Sequence, residues 1–559
     1  MKIIFLVLLL TIPTFFRMLR PGIFSMQDFH IFRLYEFDKC VKDLQIPCRW
    51  APDAGFGYGE PVFNFYTQIP YAMGEIFHFL GFQFIDSIKI LFILTLVGSA
   101  VSMFFLARQI WGNNLSAILS AVVYTYAPYR ALDIWVRGAL PEAMAFVIFP
   151  VIILLINNIF SHKNLRDILL FRQKQTCLLS FSLALLLVTH NLSFLMFLPF
   201  LIIWIGFLIF TNKKWRLVLP IFGASILSVF LSAFYLLPII FESKFIDLNL
   251  VTSGYFDFRA HFTTVNQLLI SRFWGYGASL FGPKDDLSLS VGQVQWIFPL
   301  VTLLWFLFKK QDKQSLSSIK WKELLVLVGI GWLALFLTHN KSTFIWENIP
   351  FLSYLQFPWR WLAISTFAFS LASGGVAFLI KKNNGIFISV LIVLAVTLNF
   401  SFFKEDIWHK VGDLEQFSGN RWEEQIAASL PDYWPVFAKE LPTEPAPKDP
   451  IILEGKASGS LVEKTSNKAA YDITVQSDDV KVQFPIVFFP GWKSYIDNQE
   501  IDIYPSGIYG LITTKVSGGM HTLTLSFTNT PVRTIGNIVS LLSLLTATIL
   551  LLKADKRYG

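Results

Sequence analysis

The sequence predicts a polytopic α-helical membrane protein that carries an antiparallel β-sandwich near its C-terminus. Three observations predict it. Hydrophobic residues fill 54% of the 559 positions and charged residues only 15%, where a soluble domain carries about 25% charged residues. Twelve apolar runs approach or reach the roughly 20 residues needed to cross hydrocarbon. A stretch starting near 450 changes to period-two alternation, the mark of half-buried strands. With a mean hydropathy of +0.55, these features exclude a soluble enzyme, a disordered chain and a disulfide scaffold.

In chain order the apolar runs lie near 3–19, 88–107, 115–128, 142–160, 175–190, 193–210, 217–240, 292–308, 323–338, 358–380, 385–403 and 536–553. The first is followed by Arg17-Met18-Leu19-Arg20-Pro21, with no small-residue cleavage site, and reads as an uncleaved span. The net charge of +8 would suggest nucleic acid in a soluble protein. Here it divides by side. With the N-terminus inside and the spans alternating, the inner segments hold 19 of the 46 Lys and Arg residues. They hold only four acids, Asp167, Asp312, Glu323 and Asp555, so the inside nets +15 and the remainder −7. That asymmetry places both termini in the cytoplasm and leaves no nucleic-acid partner to explain.

Residues 1–403 are then a multi-span domain with a large first outer loop at 20–87 and a second outer segment at 241–291. Residues 404–534 form an extracytoplasmic domain, and 535–559 hold the last span and a short basic tail. Strand patterns include Tyr471-Asp472-Ile473-Thr474-Val475, Lys481-Val482-Gln483-Phe484 and His521-Thr522-Leu523-Thr524-Leu525-Ser526-Phe527. Asp497-Asn498 and Gly518-Gly519 are the expected turns, and 441–450 is a Pro-rich linker.

The first outer loop begins Ser25-Met26-Gln27-Asp28-Phe29-His30-Ile31-Phe32-Arg33, which sets Asp28, His30 and Arg33 at the outer membrane surface, with Asp28 and His30 as the candidate catalytic residues. A carboxylate there can take a proton from an acceptor hydroxyl or hold a divalent metal such as Mg or Mn. The structural alternative is a helix cap at the interface. Cys40 and Cys48 in the same loop can form a small disulfide in an oxidising compartment or stay as free thiols. The run from Pro47 to Tyr66 is dense in Gly, Pro and aromatics. It suits a rigid surface at headgroup level that anchors at the interface or stacks on a sugar or lipid.

A second outer cluster runs from Tyr129 to Glu142. Arg137 suits phosphate because its fork donates two parallel hydrogen bonds, and it equally suits a loop-closing pair with Glu142. Three more outer segments carry polar groups: Thr189-His190-Asn191 where a span breaks, Ser271-Arg272-Phe273-Trp274, and Gln356-Phe357-Pro358-Trp359-Arg360-Trp361. Span breaks are tolerated where they are buried or line a cavity, so these groups are expected to converge. Arg137, Arg272 and Arg360 are the phosphate candidates. His190 is either a base or ligand, or a hydrogen-bonded core residue. Walker, dinucleotide, zinc and nucleophile-elbow motifs are all missing from the sequence.

An N-terminal span followed by a large outer loop with an early Asp resembles the GT-C membrane glycosyltransferases. More narrowly, Asp28-Phe29-His30-Ile31-Phe32-Arg33, Arg49-Trp50-Ala51-Pro52-Asp53, Gly57-Tyr58-Gly59, Phe63-Asn64-Phe65-Tyr66, His190-Asn191 and Gln356-Phe357-Pro358-Trp359-Arg360 are similar to a bacterial membrane family. That family is labelled 6-pyruvoyl-tetrahydropterin synthase-related. Phe488-Phe489-Pro490-Gly491-Trp492-Lys493 resembles the outer β-domain of YfhO-like proteins. The resemblance covers almost the whole chain. It implies transfer of a sugar from a polyprenyl-phosphate-linked donor, which enters from the bilayer, to a glycan, lipid or protein acceptor at the outer face of the cell membrane. It also implies that Asp28 activates the acceptor or holds a metal while outer cations hold the phosphate. His30 stands where some GT-C members have a second acid, a departure that bears on metal dependence. A transporter of lipid-linked saccharides and a non-catalytic envelope scaffold with a glycan-binding sandwich are the alternatives.

Overall fold

The computed structural model describes residues 2–24, 28–161, 174–280, 285–308, 320–380, 384–428 and 432–555. All twelve apolar runs fall mainly on helix. Among the described residues, seven helices are long and apolar enough to cross a membrane: Phe84–Trp111, Leu140–Ser161, Asn191–Asn212, Lys320–Thr338, Pro358–Phe378, Asn384–Phe402 and Pro531–Ala554. An eighth candidate, Trp215–Leu231 with Ala233–Phe245, bends by 70° at its break. Lys2–Thr14, Asn114–Thr125, Lys174–Thr189 and Gln293–Phe308 are shorter. The expected count of about twelve spans therefore meets seven or eight helices of full length. A helix rises 1.5 Å per residue, so these shorter helices reach only about 18–24 Å against about 30 Å of hydrocarbon.

Several inner cations behind the orientation expectation lie outside the described residues: Lys163, Arg166, Arg172, Lys309, Lys310, Lys313, Lys381, Lys382, Lys556 and Arg557. Asp167 and Asp312 lie outside them too.

The segment 20–87 has Asp28–Lys42 and Ile69–Phe79 as its main helices. Cys40 and Cys48 form a disulfide that closes the end of the Asp28–Lys42 helix onto the aromatic stretch after it. Just before that helix, Ile23–Phe24 pairs antiparallel with Trp408–His409, which ties the start of the segment 20–87 to the C-terminal region.

The C-terminal strands form one hydrogen-bonded antiparallel sheet of seven strands, where the sequence predicts a sandwich. Lys468–Val487 and Leu511–Phe527 run side by side through it for 20 and 17 residues. Ile451–Glu454 and Ala457–Lys464 pair with the first of these, and Trp492–Ile496 and Tyr504–Ser506 with the second. Register shifts at Val475/Asp479 and Gln483/Val487 let strands of this length bend, so a single sheet wraps its own core. Asp497-Asn498 makes the expected hairpin turn, with φ of +48° and +72°. Gly518-Gly519 does not turn. It lies inside Leu511–Phe527 opposite the register shift, and absorbs the bulge.

The aromatic stretch from Pro47 to Tyr66 covers the buried face of this sheet. Trp50, Tyr58 and Phe65 share a core with Tyr471, Val482, Trp492 and Phe527. Trp50 stands edge-on to Trp492 at 5.3 Å and lies 5.0 Å from Phe527. Gly59 (φ +82°) makes this approach possible, because a Cβ there would meet the Trp50 indole at 2.5 Å. The rings expected to anchor at headgroup level are therefore largely buried between two parts of the protein. The sheet has an apolar face to cover, and the nearest apolar surface is this stretch.

Candidate functional site

The segment from Pro128 to Glu142 makes one helical turn, then a wide π-type turn over Leu132–Val136, and bends at Gly138 (φ +59°) into the helix Leu140–Ser161. Turns of the wide type recur at functional sites. This one aims three charged side chains at each other. Arg137 donates to Asp133 Oδ1 at 2.8 Å and to Glu142 Oε2 at 2.8 Å, while the Tyr129 hydroxyl donates to Glu142 Oε1 at 2.6 Å. Both carboxylates are fully buried. Burial, and then the facing Glu142, pushes the Asp133 carboxyl well above its ordinary range. The Arg137 guanidinium lies over the Trp359 ring at 4.6 Å.

Trp359 brings in the next residue of its own turn. Arg360 sits in Pro358–Trp361, just before the helix Leu362–Ser373. Its side chain is 9% exposed, and its Nε and Nη1 are buried with no hydrogen-bond partner among the described residues. Its charged neighbours are Arg137, Glu142 and Asp133. His190 occupies the extended break between Lys174–Thr189 and Asn191–Asn212, with Nδ1 at 2.6 Å from Ser193 Oγ. It faces the charges of Glu142, Arg360 and Arg137. Four sequence candidates, Arg137, Glu142, His190 and Arg360, thus converge in one buried cluster.

His30 and Arg33 flank it. The His30 ring bridges the Tyr71 hydroxyl, 2.9 Å from Nδ1, and the carbonyl of Gly138 at Nε2. Burial, and secondarily the charge of Arg33, holds its pKa down to about 3. The ring is neutral at physiological pH, and both of its nitrogens are engaged. Where the sequence suggests a catalytic His30, the geometry gives a strut that docks the Asp28–Lys42 helix on the Gly138 bend. Arg33 stacks on Tyr66 at 4.1 Å and lies 3.9 Å from Asp432. Asp28 is the first residue of that helix, about 3 Å along the axis from His30. Its side chain lies outside the described residues.

Arg272 does not join the cluster. It is exposed, donates to Gln293 Oε1 at 3.2 Å and to the carbonyl of Leu398, and lies over Phe402. It fastens the start of Gln293–Phe308 to the end of Asn384–Asn399.

Asp133, Tyr129 and Trp359 belong to the site and are not among the candidates expected from sequence. The available signal was spacing, since Asp133 lies four residues before Arg137. Each carboxylate facing the cluster is bonded to Arg137. Among the described residues no three His, Cys, Asp or Glu side chains are grouped to hold a metal ion. The side chain of Asp28, the residue that would hold Mg or Mn, lies outside the described residues, and no step below runs through a metal.

An apolar groove of 410 Å³ adjoins the cluster. Leu195, Pro199, Ile203, Leu333, Trp361 and Ile364 line it, between the helices Asn191–Asn212 and Lys320–Thr338. Trp361 directly follows Arg360, and Asn191–Asn212 directly follows His190.

No protein-family model matches the chain. A protein of Lactococcus lactis subsp. cremoris, described as uncharacterized, is 24% identical over 251 residues. The match spans 43% of this chain and 39% of that one. Among solved structures, the arabinofuranosyltransferase AftD from Mycobacteria is similar at a TM-score of 0.44 and 14% identity, over 78% of this chain and 28% of AftD. The oligosaccharyltransferase of Archaeoglobus fulgidus is similar at a TM-score of 0.42 and 11% identity, over 77% of this chain and 60% of that one. The archaeal enzyme has also been solved with an inhibitory peptide and a dolichol-phosphate. The chain spans less than two thirds of each of these proteins.

Proposed function

We propose that the protein is a membrane glycosyltransferase that takes a sugar from a polyprenyl-phosphate-linked donor at the outer face of the membrane. The observation that carries this reading is Arg360, a buried guanidinium with unmet donors. A buried cation without partners is costly, and the groups around it do not neutralise it. Asp133 and Glu142 are already bonded to Arg137, and burial favours the neutral form of Asp133. The cluster is left short of negative charge, and a phosphate or diphosphate supplies it with a matching set of acceptors. The apolar groove beside Trp361 has the chemistry to hold the isoprenoid chain of the same donor. Charge and grease meet at one point, as a lipid phosphate requires.

In this reading the acceptor hydroxyl attacks the anomeric carbon with inversion. The new C–O bond to the acceptor forms as the C–O bond to phosphate breaks. The acceptor proton passes to the Asp28 carboxylate, and the leaving phosphate keeps its charge against Arg360. Arg137 is held rigid by its two carboxylates, and His30 keeps the Asp28 helix on the Gly138 bend. The Cys40–Cys48 disulfide fits an outward-facing first loop.

The test is transfer from a labelled polyprenyl-phosphate sugar, measured in membranes carrying Arg360→Met or Asp28→Asn. Each is expected to lower the rate by roughly a hundredfold or more. Arg360→Met should leave the thermal midpoint of the ligand-free protein unchanged or raised, because no protein hydrogen bond is lost. Unchanged transfer in Arg360→Met overturns the reading and favours the scaffold alternative.

A further inference from the structure

A second cavity, with more polar groups in its lining than the first, lies in the segment between the bent pair and Gln293–Phe308. Its volume is 560 Å³, within the range that ligand sites occupy. Asn266, Gln267, Ser271, Asp286 and Ser288 line it with amide, hydroxyl and carboxylate groups, and Phe273 adds a ring that is 52% exposed. Among the described lining residues there is no cation. We infer that this cavity binds a neutral saccharide and is the acceptor subsite of the transferase proposed above, on which the word acceptor rests.

The chemistry selects this ligand class. Closely spaced hydrogen-bonding groups of both polarities match a ring of hydroxyls. A carboxylate such as Asp286 accepts from two neighbouring hydroxyls at once. An exposed phenyl ring offers a flat apolar face to the C–H face of a sugar. A phosphate, or the carboxylate of a peptide, would meet Asp286 and no compensating cation among these residues.

The lining is pre-organised. Asp285, buried beneath it, accepts from Gln267 Nε2 at 3.1 Å and from the backbone N–H of Leu287 at 3.0 Å and Leu280 at 3.3 Å. The Gln267 carbonyl accepts from the Thr264 hydroxyl at 2.8 Å, so the amide plane is fixed and its second N–H remains for a ligand. Groups fixed in advance lose little freedom on binding.

The cavity wall is tied to the arginine cluster from two sides. Ser279, next to Leu280, accepts from Trp359 Nε1 at 2.9 Å, and Trp359 carries Arg137. At the other end Gly292 packs so closely on Pro128 that a Cβ would meet its ring at 2.6 Å, and Pro128 begins the segment that holds Tyr129, Asp133 and Arg137. The chain on both sides of the lining is thus joined to the segments that hold the donor site.

The experiment uses the full chain in nanodiscs and an array of unphosphorylated neutral hexose and pentose oligosaccharides. Calcium ion, phosphorylated sugars and short peptides are run beside them; organic ligands are measured by saturation-transfer NMR and calcium by titration calorimetry. A neutral oligosaccharide should bind, roughly tenfold more weakly in Phe273→Ala and in Asp286→Asn, and equally well in Arg360→Met. Both variants should raise the acceptor KM of transfer and leave the donor KM unchanged. No binding of any neutral oligosaccharide, binding indifferent to both substitutions, or binding of calcium, phosphosugar or peptide alone overturns the inference. The two readings fail separately. If Arg360→Met abolishes transfer while Phe273→Ala and Asp286→Asn leave the acceptor KM unchanged, the cavity assignment falls and the donor site stands. If oligosaccharide binding depends on Phe273 while transfer ignores Arg360, the saccharide site stands and the donor reading falls.

Discussion

Arg360 differs from the other deeply buried arginines of this protein in its partners. Arg49, Arg130 and Arg533 each donate to at least two protein acceptors. Arg360 has none among the described residues for its two buried nitrogens, although charged neighbours surround it. A side chain kept in that condition is best explained by a ligand, since unmet buried donors cost stability in the free protein. Glu60 poses the same question with opposite charge. It is fully buried, accepts from the backbone N–H of Tyr433 at 3.0 Å, and has its other oxygen unpartnered. Burial, then the nearby Asp432, pushes its pKa up to about 8 from 4.5. Folding thus favours the protonated acid. Its contribution is complete below about pH 4.5 and is lost as pH rises through about 8. Replacing it by Gln should make the protein more stable than the parent near pH 9, by a margin on the order of a few kcal/mol that shrinks toward pH 5. Thermal unfolding at the two pH values checks it; a margin independent of pH would assign Glu60 a different role.

Elements here are joined by buried charge as well as by apolar packing. Glu242 closes the bent helix pair. It accepts from Arg533 Nε at 2.9 Å, from Asn64 Nδ2 at 2.7 Å and from the Thr530 hydroxyl at 2.5 Å. One carboxylate therefore fixes the bent pair, the segment 20–87 and the helix Pro531–Ala554. Arg533 continues the tie into the β-region by donating to the carbonyl of Pro490 at 2.8 Å. Removing one partner leaves the other charge buried and unpaired, which costs about 3–5 kcal/mol. Glu242→Ala should accordingly lower the thermal midpoint of the detergent-solubilised protein sharply, while Lys493→Ala, which breaks an exposed pair with Glu500, should shift it very little. Equal shifts in the two variants would refute the assignment.

At the scale of the whole molecule, the sheet and the stretch from Pro47 to Tyr66 share one core, with Trp50 at the joint. Truncating a buried Trp costs about 3–5 kcal/mol through lost burial and the cavity left behind. Trp50→Ala should expose the segment 441–450 to limited proteolysis and release the sheet from its seat, while the helices keep their far-ultraviolet signal. Retained protection would show that the sheet is held elsewhere. This joint also bears on the arginine cluster, because the Asp28–Lys42 helix is fastened at one end by His30 to the Gly138 bend and at the other by the disulfide to the stretch that seats the sheet.

What the sequence determined by itself is what depends on neighbours along the chain. Apolar runs became helices, alternation became the strands Lys468–Val487 and Leu511–Phe527, and the His190 break and the Asp497-Asn498 turn were readable from local chemistry. The Arg137–Glu142 pair, five residues apart, was legible as one of two alternatives. Tertiary structure alone decided which distant groups meet. Arg137 finds Trp359 and Arg360 more than 200 positions away, Arg272 is left outside, and the aromatic stretch turns inward against the sheet. A period read along one helix or strand reports which face seeks burial and never names the partner. The site was therefore visible as parts, and only packing between distant helices made those parts one cluster with an unpaired cation at its centre.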